Sequence, residues 1–115
     1  SNVTVNHNNI ELLDTSGSAA IFMQGGYSSN VAITNNRVTG GGYSIRVNFP
    51  NNGSGLGAGI VTGNRFRRNP PDPGAYGPNG GDYGPASYWD FYPAVWTDNR
   101  WEDNGAIVTP AHVNW

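Results

Sequence analysis

The sequence has no cysteine, no lysine and a single methionine among its 115 residues. Without cysteine there is no disulfide framework and no thiolate metal site, and redox compartment leaves no trace. Without lysine one of the expected catalytic side chains is missing. Charge is sparse too, at 12 % of residues with a formal net charge of −2. All six basic residues are arginines, and the one cluster, Arg65, Arg67 and Arg68, is too small for a nucleic-acid footprint. No apolar run is long enough for a membrane helix, and no signal-peptide pattern opens the chain. Nucleotide-loop and nucleophile-elbow motifs are missing as well.

What the sequence does have is glycine, 17 of them, with 8 prolines, many asparagines, four tryptophans and six tyrosines. Scarce helix formers and abundant turn residues favour an all-β architecture. The aromatics and the low net charge oppose disorder. A repeat organises the chain. "NVTVNHNNI" at 2–10, "NVAITNNRV" at 30–38, "AGIVTGNRF" at 58–66 and "AVWTDNRW" at 94–101 align on Asn8, Asn36, Asn64 and Asn99. The intervals between these asparagines are 28, 28 and 35 residues. Five residues earlier stand Val3, Val31, Gly59 and Ala94. Three earlier stand Val5, Ile33, Val61 and Trp96, and two later Ile10, Val38, Phe66 and Trp101. Thr34, Thr62 and Thr97 share a further column.

Alternation with period two predicts a strand with one apolar face, and the asparagine marks a bend after it. Stacked repeats would place the four amides in a hydrogen-bonded ladder. A second apolar run follows each bend: "AAIFM" at 19–23, "YSIRV" at 43–47, "SYWDFY" at 87–92 and "AIV" at 106–108. Repeats of this length fit the coils of a solenoid. A β-sandwich is the competing architecture, but it has no need of an in-register asparagine column. The predicted core is Val3, Val5, Ile10, Ile33, Val38, Ile45, Val47, Val61, Phe66, Trp89, Phe91, Trp96 and Trp101.

The spacing V-x-V/I-x-x-N-x-apolar resembles right-handed parallel β-helix proteins of the pectate-lyase-like and phage-tailspike-like kind. The ending "WTDNRWEDNGAIV", after "YGP", resembles those of actinobacteria and their phages. The resemblance implies a single β-helix domain over 1–115, of about four coils, or a fragment of a longer one. One insertion, 67–87, interrupts it and is expected to fold as an aromatic-rich loop on one face. The tail 109–115 is expected to cap one end through Pro110 and Trp115.

The resemblance also implies a substrate groove along the sheet of second apolar runs. With Ile45, Val47, Trp89 and Phe91 facing the core, Ser44, Arg46, Tyr88, Asp90 and Tyr92 face out. Tyr76 and Tyr83 overhang them from the insertion. Tyrosine faces stack on sugar rings, and arginine and aspartate fork onto hydroxyls and carboxylates. A surface ion pair amid structural aromatics is the plainer reading. Asp72 and Asp82 offer further carboxylates, but no spacing demands a catalytic pair. Asp98, Glu102 and Asp103 read as capping or solvated. His7 lies at a bend and His112 in the tail, too far apart in sequence to signal a metal site. No catalytic residue, metal ligand or cofactor is assigned.

Three function classes remain: an extracellular or virion-associated module recognising glycans, a polysaccharide lyase or glycoside hydrolase, and a purely structural fibre or tail segment. The expected partner is a polysaccharide or cell-surface glycan, with neither nucleic acid nor membrane involved. The resemblance adds a homotrimer or an end-to-end β-helix neighbour.

Overall fold

The computed structural model describes residues 2–12, 19–23, 30–68, 80–81 and 83–113. They form a parallel β-helix of about four coils, each giving one strand to each of three sheets. The strand before each asparagine enters sheet A: β1 (Asn2–Asn6), β4 (Asn30–Thr34), β7 (Gly57–Thr62) and β10 (Pro93–Thr97). The strand after it enters sheet B: β2 (Asn9–Leu12), β5 (Arg37–Gly40), β8 (Arg65–Phe66) and β11 (Arg100–Trp101). Sheet C holds β3 (Ala19–Met23), β6 (Tyr43–Val47), β9 (Gly84–Tyr88) and β12 (Ala111–His112). Every pairing between these strands is parallel, and strand order follows coil order in all three sheets.

The asparagine ladder runs the length of the stack. Asn8 Nδ2 donates to Asn36 Oδ1 at 3.1 Å, Asn36 to Asn64 at 3.1 Å and Asn64 to Asn99 at 2.9 Å. Each of the three acceptor amides also takes the backbone N–H of the preceding ladder residue, at 2.9 to 3.1 Å. Nδ2 of Asn36, Asn64 and Asn99 donates to a carbonyl one coil back, on Val5, Ile33 and Val61. These three amides are buried, and this one-directional chain of bonds makes that burial tolerable.

The bend itself belongs to the residue before. His7, Asn35, Gly63 and Asp98 all have φ between 54° and 72°. Only glycine and short polar residues visit that left-handed region readily, with His also enriched there. The paired asparagines Asn35 and Asn36 therefore divide two tasks, the turn and the ladder.

The core is the inward face of the three sheets. Ile33, Val38, Ile45, Val47, Val61 and Phe66 are buried as expected, joined by Ile21, Val31, Ala86 and Val108. Val3 is 38 % exposed, and Val5 and Ile10 are half-buried, because the described first coil is covered from one side alone. Trp96 and Trp101 are half-buried in the last coil, yet their register opposite Val61 and Phe66 is the expected one. The Trp96 indole N–H donates to the Val108 carbonyl at 2.7 Å.

Phe49, which stands outside every predicted strand and core position, is buried at 1 % exposure. Its ring occupies the space left by Gly59 in the valine column, where an added Cβ would collide with it.

Sheet C corrects the predicted register. Ile45 stacks on Ala86 and Val47 on Tyr88, so the strand is "GPASY", not "SYWDFY". Residues 84–87, assigned to the insertion, are thus strand. Trp89 and Phe91 lie in the turn beyond it and are half-buried. The run 106–108 is no sheet C strand either. It folds back so that Ile107 bridges Arg100 in antiparallel fashion, along the outer edge of sheet B. Of the expected C-terminal cap, Pro110 is buried, whereas Trp115 lies outside the described residues.

Candidate functional site

The outward column of sheet C runs Phe22, Arg46, Ser87, Ala111. Period-two alternation sets it: Ile21 and Ile45 point in, so Phe22 and Arg46 point out. The Arg46 guanidinium carbon lies 5.2 Å from the centroid of the Phe22 ring and 5.8 Å from that of Tyr43. Both distances fall within cation–π range. Desolvation lowers the Arg46 pKa while the Tyr43 hydroxyl opposes it; an arginine remains a cation throughout. Beside this cluster the Tyr83 ring tilts at 42° against Tyr43, with centroids 5.9 Å apart. Tyr83 is 68 % exposed, and its backbone N–H is anchored on the Gly42 carbonyl at 2.7 Å. The Ser87 hydroxyl is buried beneath, without a hydrogen-bond partner among the described residues.

The residues predicted as one surface fall into two groups. Arg46 and Tyr83 share Tyr43 as a neighbour. Tyr88 follows the inward column of Val47 and packs against the core. The Tyr92 ring meets Tyr88 edge-on at 5.2 Å, and His112 stacks on Tyr88 at 5.0 Å. Asp90 is not the neighbour of Arg46; the register gives that place to Ser87. Asp90 is the exposed apex of a tight turn, with φ 56° and the Phe91 N–H on the Trp89 carbonyl at 2.7 Å. Tyr76, Asp72 and Asp82 lie outside the described residues. Phe22, Tyr43 and His112 were missed. Alternation within "AAIFM" signals the outward Phe22, whereas only the corrected register reveals the stack of His112 on Tyr88.

The outer face of sheet B carries most of the charge. The stacked column Arg37, Arg65, Arg100 is interleaved with carboxylates. Asp98 takes hydrogen bonds from Arg65 at 3.3 Å and Arg100 at 2.7 Å. Arg37 reaches Glu102 across two coils, and Arg67 reaches Glu11 at 3.0 Å. Arg68 pairs with Asp103 and covers the Trp101 ring at 3.8 Å. The hydrogen bonds of Arg100 and Arg65 lower the Asp98 pKa, and that of Arg37 lowers the Glu102 pKa. The arginine cluster at 65–68 is therefore matched by acids, consistent with structural cross-bracing between coils.

Comparisons with protein-family models, with curated proteins and with solved structures found no match.

Proposed function

We propose that the protein is a non-catalytic β-helix module that recognises an extended glycan, carried on an extracellular or virion assembly. The observation behind this reading is the Arg46 guanidinium held between Phe22 and Tyr43, with the exposed Tyr83 ring alongside. An arginine flanked by rings has little freedom left to lose on binding, and its fork matches carboxylates and vicinal hydroxyls. Tyr83 and Phe22 offer the apolar faces on which pyranose rings stack. The site lies on the outer face of sheet C, where successive coils stack in parallel, so a linear chain can run across them.

The test is a glycan-array screen with the intact protein, paired with assays for new reducing ends and for unsaturated uronates. Binding abolished by Tyr83→Ala and Arg46→Ala, with no product in either assay, is the expected result. Turnover would make the protein a lyase or hydrolase instead. An array without a single hit would leave a structural fibre or tail segment.

A further inference from the structure

The outer face of sheet A differs from the other two. Its central column runs Thr4, Ala32, Ile60, Val95. Asn30 and Ala58 lie to one side, and Asn6, Thr34, Thr62 and Thr97 to the other. No charged residue stands in any of these columns, although sheet B is covered in them. Ile60 is 43 % exposed and Val95 38 %, beside a shallow cavity of about 430 Å³ lined by Thr4, Asn30, Ala32, Ala58 and Ala94, among others.

We propose that this face is a weak homodimer interface in which two copies pack sheet A against sheet A with their solenoid axes antiparallel. The central column sets a small residue beside a bulky one at its middle, Ala32 in the second coil and Ile60 in the third, with the near-isosteric Thr4 and Val95 at its ends. A two-fold axis along the strand direction, midway between the faces, sets coil one against coil four and coil two against coil three. Ile60 of each copy then fills the hollow over Ala32 of the other, and Val95 meets Thr4 of the other. Packing of like copies in parallel, coil on coil, would instead press Ile60 on Ile60 and leave Ala32 facing Ala32. An isologous contact needs a self-complementary patch of this kind. Lack of charge matters equally, because a partner with charges here would have to bury them unpaired. A second copy brings an uncharged face by construction. Four strands about 4.8 Å apart and five residues of about 3.3 Å give a footprint of roughly 300 Å² per copy, about 600 Å² in total, well below the roughly 1,200 Å² of stable dimers, so the association is weak and transient. The threonine column at one rim keeps its hydroxyls paired within the copy, with Thr62 and Thr97 at 2.8 Å, so packing leaves them satisfied.

The test exploits the missing cysteines. Sedimentation equilibrium of the intact chain up to about millimolar concentration should show a reversible dimer. Ile60→Arg and Val95→Arg, both outward changes that should leave the circular dichroism and melting of the monomer unaltered, should each raise the dissociation constant about tenfold or more. A short bis-maleimide should join Ala32→Cys chains to Ile60→Cys chains when the two are mixed. It should not join Thr4→Cys chains to one another, since the two-fold places those sites about three coil spacings apart, roughly 14 Å along the stack. A chain that stays monomeric throughout, dimers indifferent to Ile60→Arg, or efficient Thr4→Cys self-linking would each overturn the proposal.

Discussion

Asn64 Nδ2 donates to Asn99 Oδ1 at 2.9 Å, although 35 residues separate them, with the same geometry by which Asn36 reaches Asn64 across 28. The ladder thus holds register against an insertion. Asn64 makes bonds on both sides: it accepts from Asn36 and donates to Asn99 and to the Ile33 carbonyl. Asn64→Ala should therefore cost about 2–3 kcal/mol, because several buried groups lose partners at once. Asn8 is exposed, and Asn8→Ala should cost about half as much or less. Urea unfolding midpoints of the two variants check the ranking, and equal losses would contradict it.

The equal 28-residue intervals hide unequal coils. From Asn8 to Ile21 is 13 residues and from Ile21 to Asn36 is 15, but the next coil divides as 9 from Asn36 to Ile45 and 19 to Asn64. The third divides as 22 to Ala86 and 13 to Asn99. Sheets A and B were legible because both flank the ladder directly, at fixed offsets from an asparagine. Sheet C sits between loops whose lengths trade against each other, so its strands carry no fixed offset. The aromatic run "SYWDFY" then outcompeted the true strand "GPASY", whose small residues fit beneath the Tyr43 ring and beside Ile45. Most of the candidate site followed sheet C into that error: Arg46 was read correctly as outward, but Ser87 and not Asp90 lies beside it. Phe49 was illegible for another reason. Its place in the core depends on Gly59, and a glycine in an apolar column reads as an irregularity until its filler is known.

That pairing makes a second prediction. Phe49→Ala removes a fully buried ring and should cost about 3–5 kcal/mol. Gly59→Val alone should overpack the same space and destabilise as well. Together they exchange one filler for another, so the double variant should lie closer to wild type than the sum of the two losses. Strict additivity would show that Phe49 and Gly59 do not share a cavity.

Acid should loosen the braces on sheet B. Glu102 and Asp98 have pKa values lowered in the folded protein by hydrogen bonds from Arg37 and from Arg100 and Arg65. A depressed carboxyl stabilises the fold above its unfolded value and loses that contribution as pH falls through the folded one. Stability from these groups should be level between about pH 7 and 5 and decline below about pH 4. Both side chains are well exposed, at 39 % and 52 %, so screening keeps the effect modest. Glu102→Gln should flatten part of the decline, and added salt should reduce it further. Chemical denaturation midpoints across this range, in both proteins, measure it directly; identical pH profiles would remove Glu102 from the account.

The last coil supplies the final test. Beyond β11 the chain turns through Asp103, Asn104 and Gly105 and returns so that Ile107 pairs with Arg100. The turn is closed by the Gly105 N–H on the Trp101 carbonyl at 2.9 Å and the Ala106 N–H on Asn104 Oδ1 at 2.8 Å. Gly105 has φ 71°, and a Cβ there would meet nothing within 4 Å. The only obstacle to a side chain is backbone strain, about 1–2 kcal/mol for a non-glycine residue in the left-handed region. Gly105→Val should therefore melt the hairpin selectively. Its loss uncovers the outer edge of sheet B and withdraws the Val108 carbonyl from the Trp96 indole. An uncovered strand edge is a template for further pairing, so the variant should aggregate at concentrations where wild type does not. Hydrogen exchange should show faster exchange at Trp101 and Val108, whose amides bond to Ala106 and Asn99, before any change in sheet A. Unaltered protection at both amides would mean that the hairpin does not depend on this turn.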